Sequence, residues 1–279
     1  MESRRLTALL LRARPLAESD LMLDFYTSEL GRITAIAKGA KRSKKRFFGL
    51  LESAHLLAIA AEPGRRSDLW LLTGARLVNP HLGLRQDWRR LVMAGPVLEL
   101  LLRGTATHDP QPAALALTLF SLARLERATT PAELAAGLLI FLTRLLSELG
   151  FGLSLGACLR CGRPHAAMAE PCLSLEGGLV CAACPVPPEG HHPDAGQPPA
   201  PRGGGRPVPL GLIGFLRAAQ SLEPVALGRL RLSPQLARPG LTYLADFWRP
   251  VCAHDLPSLG LALDALEKVE VPPLKTRGR

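Results

Sequence analysis

At 279 residues and 29.9 kDa the chain exceeds one typical domain of about 150 residues, which predicts at least two. Its 47% apolar and 21% charged residues supply a core and exclude global disorder. Lys and Arg number 34 against 24 acids, a net charge of +10, so the expected partner is a polyanion such as nucleic acid or an acidic surface.

Residues 6–14, 21–26, 32–38, 55–61 and 69–78 read as five short strands separated by turn signals. Leu21, Leu23 and Phe25 alternate with Met22, Asp24 and Tyr26, and a turn at residues 28–31 leads into the next alternating run. Five strands within residues 1–80 predict an OB-fold β-barrel, an architecture that offers a sheet face and loops to oligonucleotides; an SH3-like barrel is the alternative. The apolar run at residues 6–11 is cut by Arg12, too short for a secretory signal core of about 7 to 15 residues. Nowhere do about 18 apolar residues run together, so the sequence predicts a cytoplasmic protein with no membrane span.

After the third strand, Lys38, Lys41, Arg42, Lys44, Lys45 and Arg46 place six cations in nine residues without an acid. Strand alternation puts Arg32, Thr34 and Lys38 on the face opposite Ile33, Ala35 and Ala37, so the run extends a polar sheet face. Clustered mobile cations suit phosphates, and Phe47 or Phe48 can stack an unpaired base or instead plug the barrel end. The expected DNA-binding residues are Arg32, the six cations and Phe47. Glu18 and Asp20, in the first turn, suggest a turn and strand-end role and no acid–base pair.

From residue 84 the apolar period changes to about 3.6. Leu84, Trp88, Leu91, Leu98 and Leu102 share a stripe, with Pro96 expected to kink the helix. Leu115, Leu119 and Leu122 mark a second helix, and Thr130-Pro-Ala-Glu133 opens a third that Gly150 ends. Its face Leu134, Leu138, Phe141, Leu145 and Leu149 is apolar enough to be core, the alternative being an interaction groove. Residues 187–209 collect prolines and glycines and read as a disordered linker, and helical patterning returns at residues 210–222, 241–251 and 259–266. The expected organisation is therefore multidomain α+β: a barrel at 1–80, a helical domain formed by 81–154 and 210–279, and a cysteine-bearing segment at 155–186 inserted within it.

That segment holds Cys158-Leu-Arg-Cys161 and Cys181-Ala-Ala-Cys184, two C-x2-C units separated by 19 residues, which is the spacing of tetrahedral zinc sites. Gly162 permits the positive φ that such a knuckle needs, and Glu176-Gly177-Gly178 between Cys172 and Cys181 is a hairpin signal, so the segment reads as a zinc ribbon. Four protein ligands leave no position for water, and the expected cofactor is one structural Zn2+. Arg160 and Arg163 stand ready to offset the charge of four thiolates. Cys172 and His165 are alternative ligands. Gly152-Leu-Ser154-Leu-Gly156 matches a hydrolase nucleophile elbow, but a helix precedes it where a strand is required. No phosphate-binding loop, H-E-x-x-H or dinucleotide fingerprint occurs.

Arg14-Pro-Leu-Ala-Glu18-Ser-Asp20, Leu30-Gly-Arg32-Ile and Ala37-Lys-Gly-Ala-Lys-Arg-Ser-Lys-Lys-Arg-Phe47 resemble, in order, the N-terminal motifs of the bacterial recombination mediator family RecO. The resemblance extends through Leu149-Gly-Phe-Gly before the first cysteine pair and Leu175-Glu-Gly-Gly before the second, over about two thirds of the chain. It implies an OB fold, a helical domain carrying the ribbon, and a role in RecF-pathway DNA repair. It further implies binding to single- and double-stranded DNA, annealing of complementary strands, association with RecR and with the C-terminal tail of single-strand binding protein, and assistance in loading RecA. On this likeness the basic DNA-binding loop falls on Lys38, Lys41, Arg42, Lys44, Lys45 and Arg46, and the zinc cysteines on Cys158, Cys161, Cys181 and Cys184. A non-enzymatic mediator is the leading expectation; an enzyme or a protein-binding adaptor with a zinc-ribbon module is the alternative.

Overall fold

The computed structural model of the protein describes residues 3–43, 45–64, 68–184, 206–252 and 255–267. They fall into two compact units, one within residues 3–129 and 256–267 and one within residues 130–255.

The first unit begins with a closed barrel of β1 (Arg4–Pro15), β2 (Leu21–Thr27), β3 (Gly31–Ala37), β4 (Leu56–Pro63) and β5 (Leu69–Asn79). The strand order is β1-β2-β3-β5-β4, closed by β4 on β1, with β3 and β5 parallel and the other pairs antiparallel. That is the OB-type barrel expected from the sequence. Register carries the core: Leu10 faces Phe25, Phe25 faces Ile33, Leu6 faces Ile59 and Ala35 faces Trp70, and all of them are buried. Gly31 is required between β2 and β3. Its φ is +63°, and a Cβ there would lie 2.3 Å from the carbonyl oxygen of Asp109.

Beyond the barrel, α1 (Trp88–Gly104) is capped by the Asp87 carboxylate, which accepts from the Arg89 N–H at 2.9 Å. It packs on α2 (Pro112–Arg127) and contains Pro96. The buried face is Met93, Val97, Leu100 and Leu101, whereas Trp88 and Leu91 of the expected stripe are exposed. A later helix, α7 (Pro257–Glu267 in chain order), returns to α1, where the Glu99 carboxylate accepts from the Ser258 N–H at 3.1 Å.

In the second unit α3 (Pro131–Glu148) starts where expected, with the Thr130 hydroxyl accepting from the Glu133 N–H. It ends where Gly150, at φ +85°, donates to the Ser147 carbonyl and Phe151 to that of Leu146. Residues 134–143 of α3 are buried all round, so this helix is core. It packs against α4 (Leu210–Ser221) and α6 (Pro234–Cys252), with the short α5 (Pro224–Leu227) between them in sequence. Gly240 lets the helices pack closely at that crossing, where a Cβ would lie 2.9 Å from a methyl of Leu212 and 3.1 Å from one of Leu139, so that these side chains would have to shift. A four-stranded sheet completes the unit, ordered β6 (Ser154–Cys158), β8 (Gly178–Cys181), β7 (Pro171–Ser174), β9 (Arg206–Pro207). The buried Tyr243 of α6 donates to the Ser174 carbonyl at 2.8 Å and ties helix to sheet.

The helices are thus grouped differently from the expected single domain of 81–154 with 210–279. The physical reason is α7: its burial against α1 draws residues after 255 to the barrel unit, while α3, α4 and α6 share a separate core with the sheet. Residues 187–205 of the expected linker lie outside the described residues. Its last residues are ordered, since Arg206 and Pro207 pair with Leu173 and Cys172 and Val208 is buried.

Candidate nucleic-acid interface and metal centre

The basic run leaves the end of β3 and turns at Gly39, whose φ is +65°, into a single 3-10 turn over Ala40–Arg42. The loop is knit together by its own backbone and by the β1–β2 turn. The Asp20 carboxylate accepts from the Gly39 N–H at 2.8 Å, and the Ser19 carbonyl accepts from the Lys41 N–H at 3.0 Å. Lys41 Nζ donates to the Ala17 carbonyl at 2.7 Å, and Arg42 pairs with Glu18. Arg46 donates to the Lys38 carbonyl at 3.0 Å and lies 4.8 Å from the Phe47 ring centroid. Lys38, Lys41, Arg42, Lys45 and Arg46 are all exposed, while Lys44 lies outside the described residues.

Two expected residues differ in placement. Phe47 is only 3% exposed and belongs to the barrel core, so it is the plug and does not offer a face to a base. Its neighbour Phe48 is 77% exposed, and the open ring beside the cations is therefore Phe48. Arg32 is half-buried, donates to the Thr107 hydroxyl at 2.9 Å, and through its carbonyl holds the His108 N–H at 3.1 Å. It braces the chain after α1 instead of standing open with Lys38.

The outer barrel face adds residues that sequence reading passed over. A register shift between Leu10 and Arg12 turns Arg12 and Arg14 outward, opposite Asp24 and Met22. Asp24 is 3% exposed, accepts from Arg12 Nε and from the Thr34 hydroxyl, each at 2.9 Å, and also pairs with Arg14. The only sequence signal is Arg-x-Arg at a strand end, and the bulge that reverses its facing is not legible in the pattern.

In the second unit the Sγ atoms of Cys158, Cys161, Cys181 and Cys184 all lie within 4.8 Å of one another. Three of the separations are 3.9 Å for Cys158–Cys184, 3.7 Å for Cys161–Cys181 and 3.5 Å for Cys181–Cys184. A tetrahedron with Zn–S bonds of about 2.3 Å has S···S edges of about 3.8 Å, so the donor set and its dimensions fit a zinc ion. A disulfide needs about 2.05 Å. Gly162, at φ +71°, closes the first knuckle by donating to the Cys158 carbonyl at 3.0 Å. Burial raises the Cys158 thiol, but the N–H groups of Cys161, Cys181 and Arg160 outweigh it and bring the thiol down to about 6. Cys184 is pushed up to about 12, first by the thiols of Cys181 and Cys161, then by burial and Cys158. The opposed shifts are what four crowded sulfurs produce: one ionises readily and the next resists, until a cation shares their charge.

Neither alternative ligand joins the cluster. Cys172 is buried within β7 opposite Val180, its thiol raised by burial and by Glu170 and Cys181, and the ring of His165 contacts Arg217. The guanidinium of Arg160 is committed to Glu176, so it is the Arg160 N–H, 3.4 Å from the Cys158 sulfur, that addresses the cluster. The expected hairpin is present as β7–β8, turning through Gly177 at φ +92°.

The barrel coincides with a match to the family model described as Recombination protein O N terminal, over residues 1–81, and residues 85–260 match Recombination protein O C terminal. The chain belongs to the RecO family. Among its RecO relatives is the DNA repair protein RecO of Geobacter metallireducens, 34% identical over 184 residues that cover 66% of this chain and 73% of that protein. The DNA repair protein RecO of Syntrophobacter fumaroxidans is 29% identical over 265 residues, 95% of this chain and 99% of its own. That of Syntrophus aciditrophicus is 26% identical over 254 residues, 91% and 92% respectively. Membership in RecO carries a role in DNA repair and recombination. Among the described residues no helix is long and apolar enough to cross a membrane. Ser154 of the G-x-S-x-G match opens β6 after α3, the reverse of the strand-to-helix order that a RecO-unrelated hydrolase elbow needs.

Proposed function

We propose that this protein is a non-enzymatic DNA-binding mediator of RecF-pathway repair that anneals complementary single strands and, with RecR, helps load RecA onto strands coated by single-strand binding protein. The observation that carries this reading is the basic loop, held on a closed OB-type barrel with Lys38, Lys41, Arg42, Lys45 and Arg46 exposed and Phe48 open beside them. Annealing makes no covalent bond. Its barrier is the repulsion between two polyanions and the search for register, and a cationic surface that neutralises both strands lowers that barrier without an active site. Lys38, Lys41, Arg42, Lys44, Lys45 and Arg46 take phosphates of single- or double-stranded DNA, and Phe48 stacks an unpaired base. Cys158, Cys161, Cys181 and Cys184 hold one structural zinc that fixes the ribbon, with no coordination position left for chemistry. Gripping the acidic tail of the coating protein raises the local concentration of covered strands. The site of action is the cytoplasm, at the nucleoid.

The test mixes labelled complementary oligonucleotides, coated with single-strand binding protein and without ATP, and follows pairing with and without this protein. Acceleration is expected, and it should shrink when the coating protein lacks its tail. A rate no faster than the uncatalysed one rejects annealing, while equal acceleration with and without the tail rejects the tethering step.

A further inference from the structure

The β1–β2 turn carries Glu18 and Asp20, two acids where a polyanion-binding surface should least tolerate them. On field effects alone each weakens DNA binding, since a fixed negative charge repels phosphate and competes for the cations. Yet residues 17–20 make four separate contacts to residues 39–42. Asp20 accepts from the Gly39 N–H, Ser19 from the Lys41 N–H, Ala17 from Lys41 Nζ, and Glu18 pairs with Arg42.

The two acids are placed differently. The Asp20 carboxylate is directed at backbone: its Oδ1 meets the Gly39 N–H at 2.8 Å and the Ser19 hydroxyl at 3.1 Å. Gly39 is the residue in the left-handed region where the chain leaves β3, so this contact fixes the direction in which the cations set out. The carboxyl is held below its ordinary value, chiefly by that N–H, which means the ionised form is the stronger acceptor. Glu18, by contrast, has a side chain 85% exposed and touches the loop at the Arg42 guanidinium, itself 68% exposed. An exposed pair of this kind adds little to stability and is readily exchanged for another anion.

We propose that the turn is a built-in brace and placeholder for the DNA-binding loop: Asp20 positions the loop through Gly39, and Glu18 occupies Arg42 until a DNA phosphate replaces it. The proposal rests on the reading of this loop as the DNA interface. Asp20 is a positioning residue, and its sign is opposite to the field effect. A loop that loses its brace gives up phosphate contacts, each worth about fivefold in affinity at about 0.1 M salt for a single strand, from a salt exponent of about 0.7 per contact. Displacement of Glu18 costs the complex one competition, so neutralising Glu18 should tighten binding and steepen the salt dependence by up to about 0.7.

The experiment measures anisotropy of a labelled oligothymidylate against the full chain over a range of salt for wild type, Asp20→Asn, Asp20→Ala, Asp20→Glu and Glu18→Gln, with thermal melting of each. Asparagine keeps an acceptor for Gly39 and loses the charge; alanine loses both. The expected order is Asp20→Asn at or above wild type and Asp20→Ala about fivefold weaker with a flatter slope. If Asp20→Ala does not fold, Asp20→Glu decides: it keeps the charge but displaces the carboxylate, so it should bind more weakly than wild type at an unchanged melting temperature. Asp20→Asn and Asp20→Ala equally tighter than wild type, or Asp20→Glu equal to wild type, would show a pure field effect and overturn the brace. An unchanged slope in Glu18→Gln overturns the placeholder. Charge reversal of Lys41 and Lys45 is the companion control: no loss of affinity there overturns the DNA-interface reading itself, and the proposal with it.

Discussion

Adjacent phenylalanines at the end of the basic loop offer a sharp separation of stability from binding. Phe47 packs among Leu23, Ile33, Leu57 and the rest of the barrel core with 3% of its surface exposed. Phe47→Ala leaves a cavity at the barrel end, for which a buried Phe→Ala change costs about 3–5 kcal/mol. With each kcal/mol moving the midpoint of a unit this size by roughly 2–4 °C, a cost near 4 kcal/mol lowers its melting temperature by about 8–16 °C. Phe48 is 77% exposed, and Phe48→Ala should alter stability by less than about 0.5 kcal/mol. A lost base stack is worth about 1–3 kcal/mol, roughly five- to 150-fold in affinity for single strands. Thermal melting followed by circular dichroism, paired with anisotropy titration of a labelled single strand, reads both quantities on the same samples. The assignment is refuted if Phe47→Ala melts like wild type while binding collapses, or if Phe48→Ala binds like wild type.

Three further outcomes are expected. Protein purified without chelator should contain one zinc per chain, and Cys161→Ser should release it and loosen residues 155–184 while the barrel transition stays in place, the metal being worth order of 10 kcal/mol locally; elemental analysis that finds no zinc contradicts this. If about four of the six loop cations neutralise phosphates, the log–log salt slope for single strands is roughly −3, and reversing Lys41, Lys44 and Lys45 to Glu should flatten it; the same slope in that variant would move the interface elsewhere. The Asp20 carboxyl should titrate below 3.8, because the Gly39 N–H, the Ser19 hydroxyl, Lys38 and Lys41 all favour its ionised form. With a folded-state value depressed in this way, the charge-assisted part of its hold on the loop is complete at neutral pH and weakens to that of a neutral acceptor only as pH falls through that lowered value. Carboxyl carbon shifts in an NMR titration give the midpoint, and one at or above 3.8 refutes the geometry.

The strands, the barrel class and the four metal-site cysteines were legible because each depends on near-neighbour periodicity. Alternation over Ile33, Ala35 and Ala37 can satisfy only a half-buried strand, and two C-x2-C knuckles with a Gly-Gly hairpin between them bring four sulfurs together through local turns. Thr130 capping Glu133 and Gly150 ending α3 are equally local. What escaped the sequence depends on partners far along the chain. Phe47 and Phe48 are chemically identical, and only closure of the barrel decides which enters the core. Trp88 and Leu91 fit a helical stripe, yet they stay exposed because α1 turns Met93, Val97 and Leu101 inward toward its neighbours.

Glu18 and Asp20 show the same division at the interface itself. Their residue types fix a turn, since short acidic side chains accept readily from nearby backbone N–H groups. That the Asp20 acceptor reaches Gly39, 19 residues on, follows from the antiparallel pairing of β2 with β3, which runs Leu21 opposite Ala37 and so delivers both strand ends to one edge. Likewise the Arg12–Asp24 pair exists because a bulge after Leu10 changes the facing of β1, and α7 joins the barrel unit because Ser258 finds Glu99. Local chemistry determines which segments form and which side chains are competent. Which of them meet is set by register and chain return, and these are properties of the folded core.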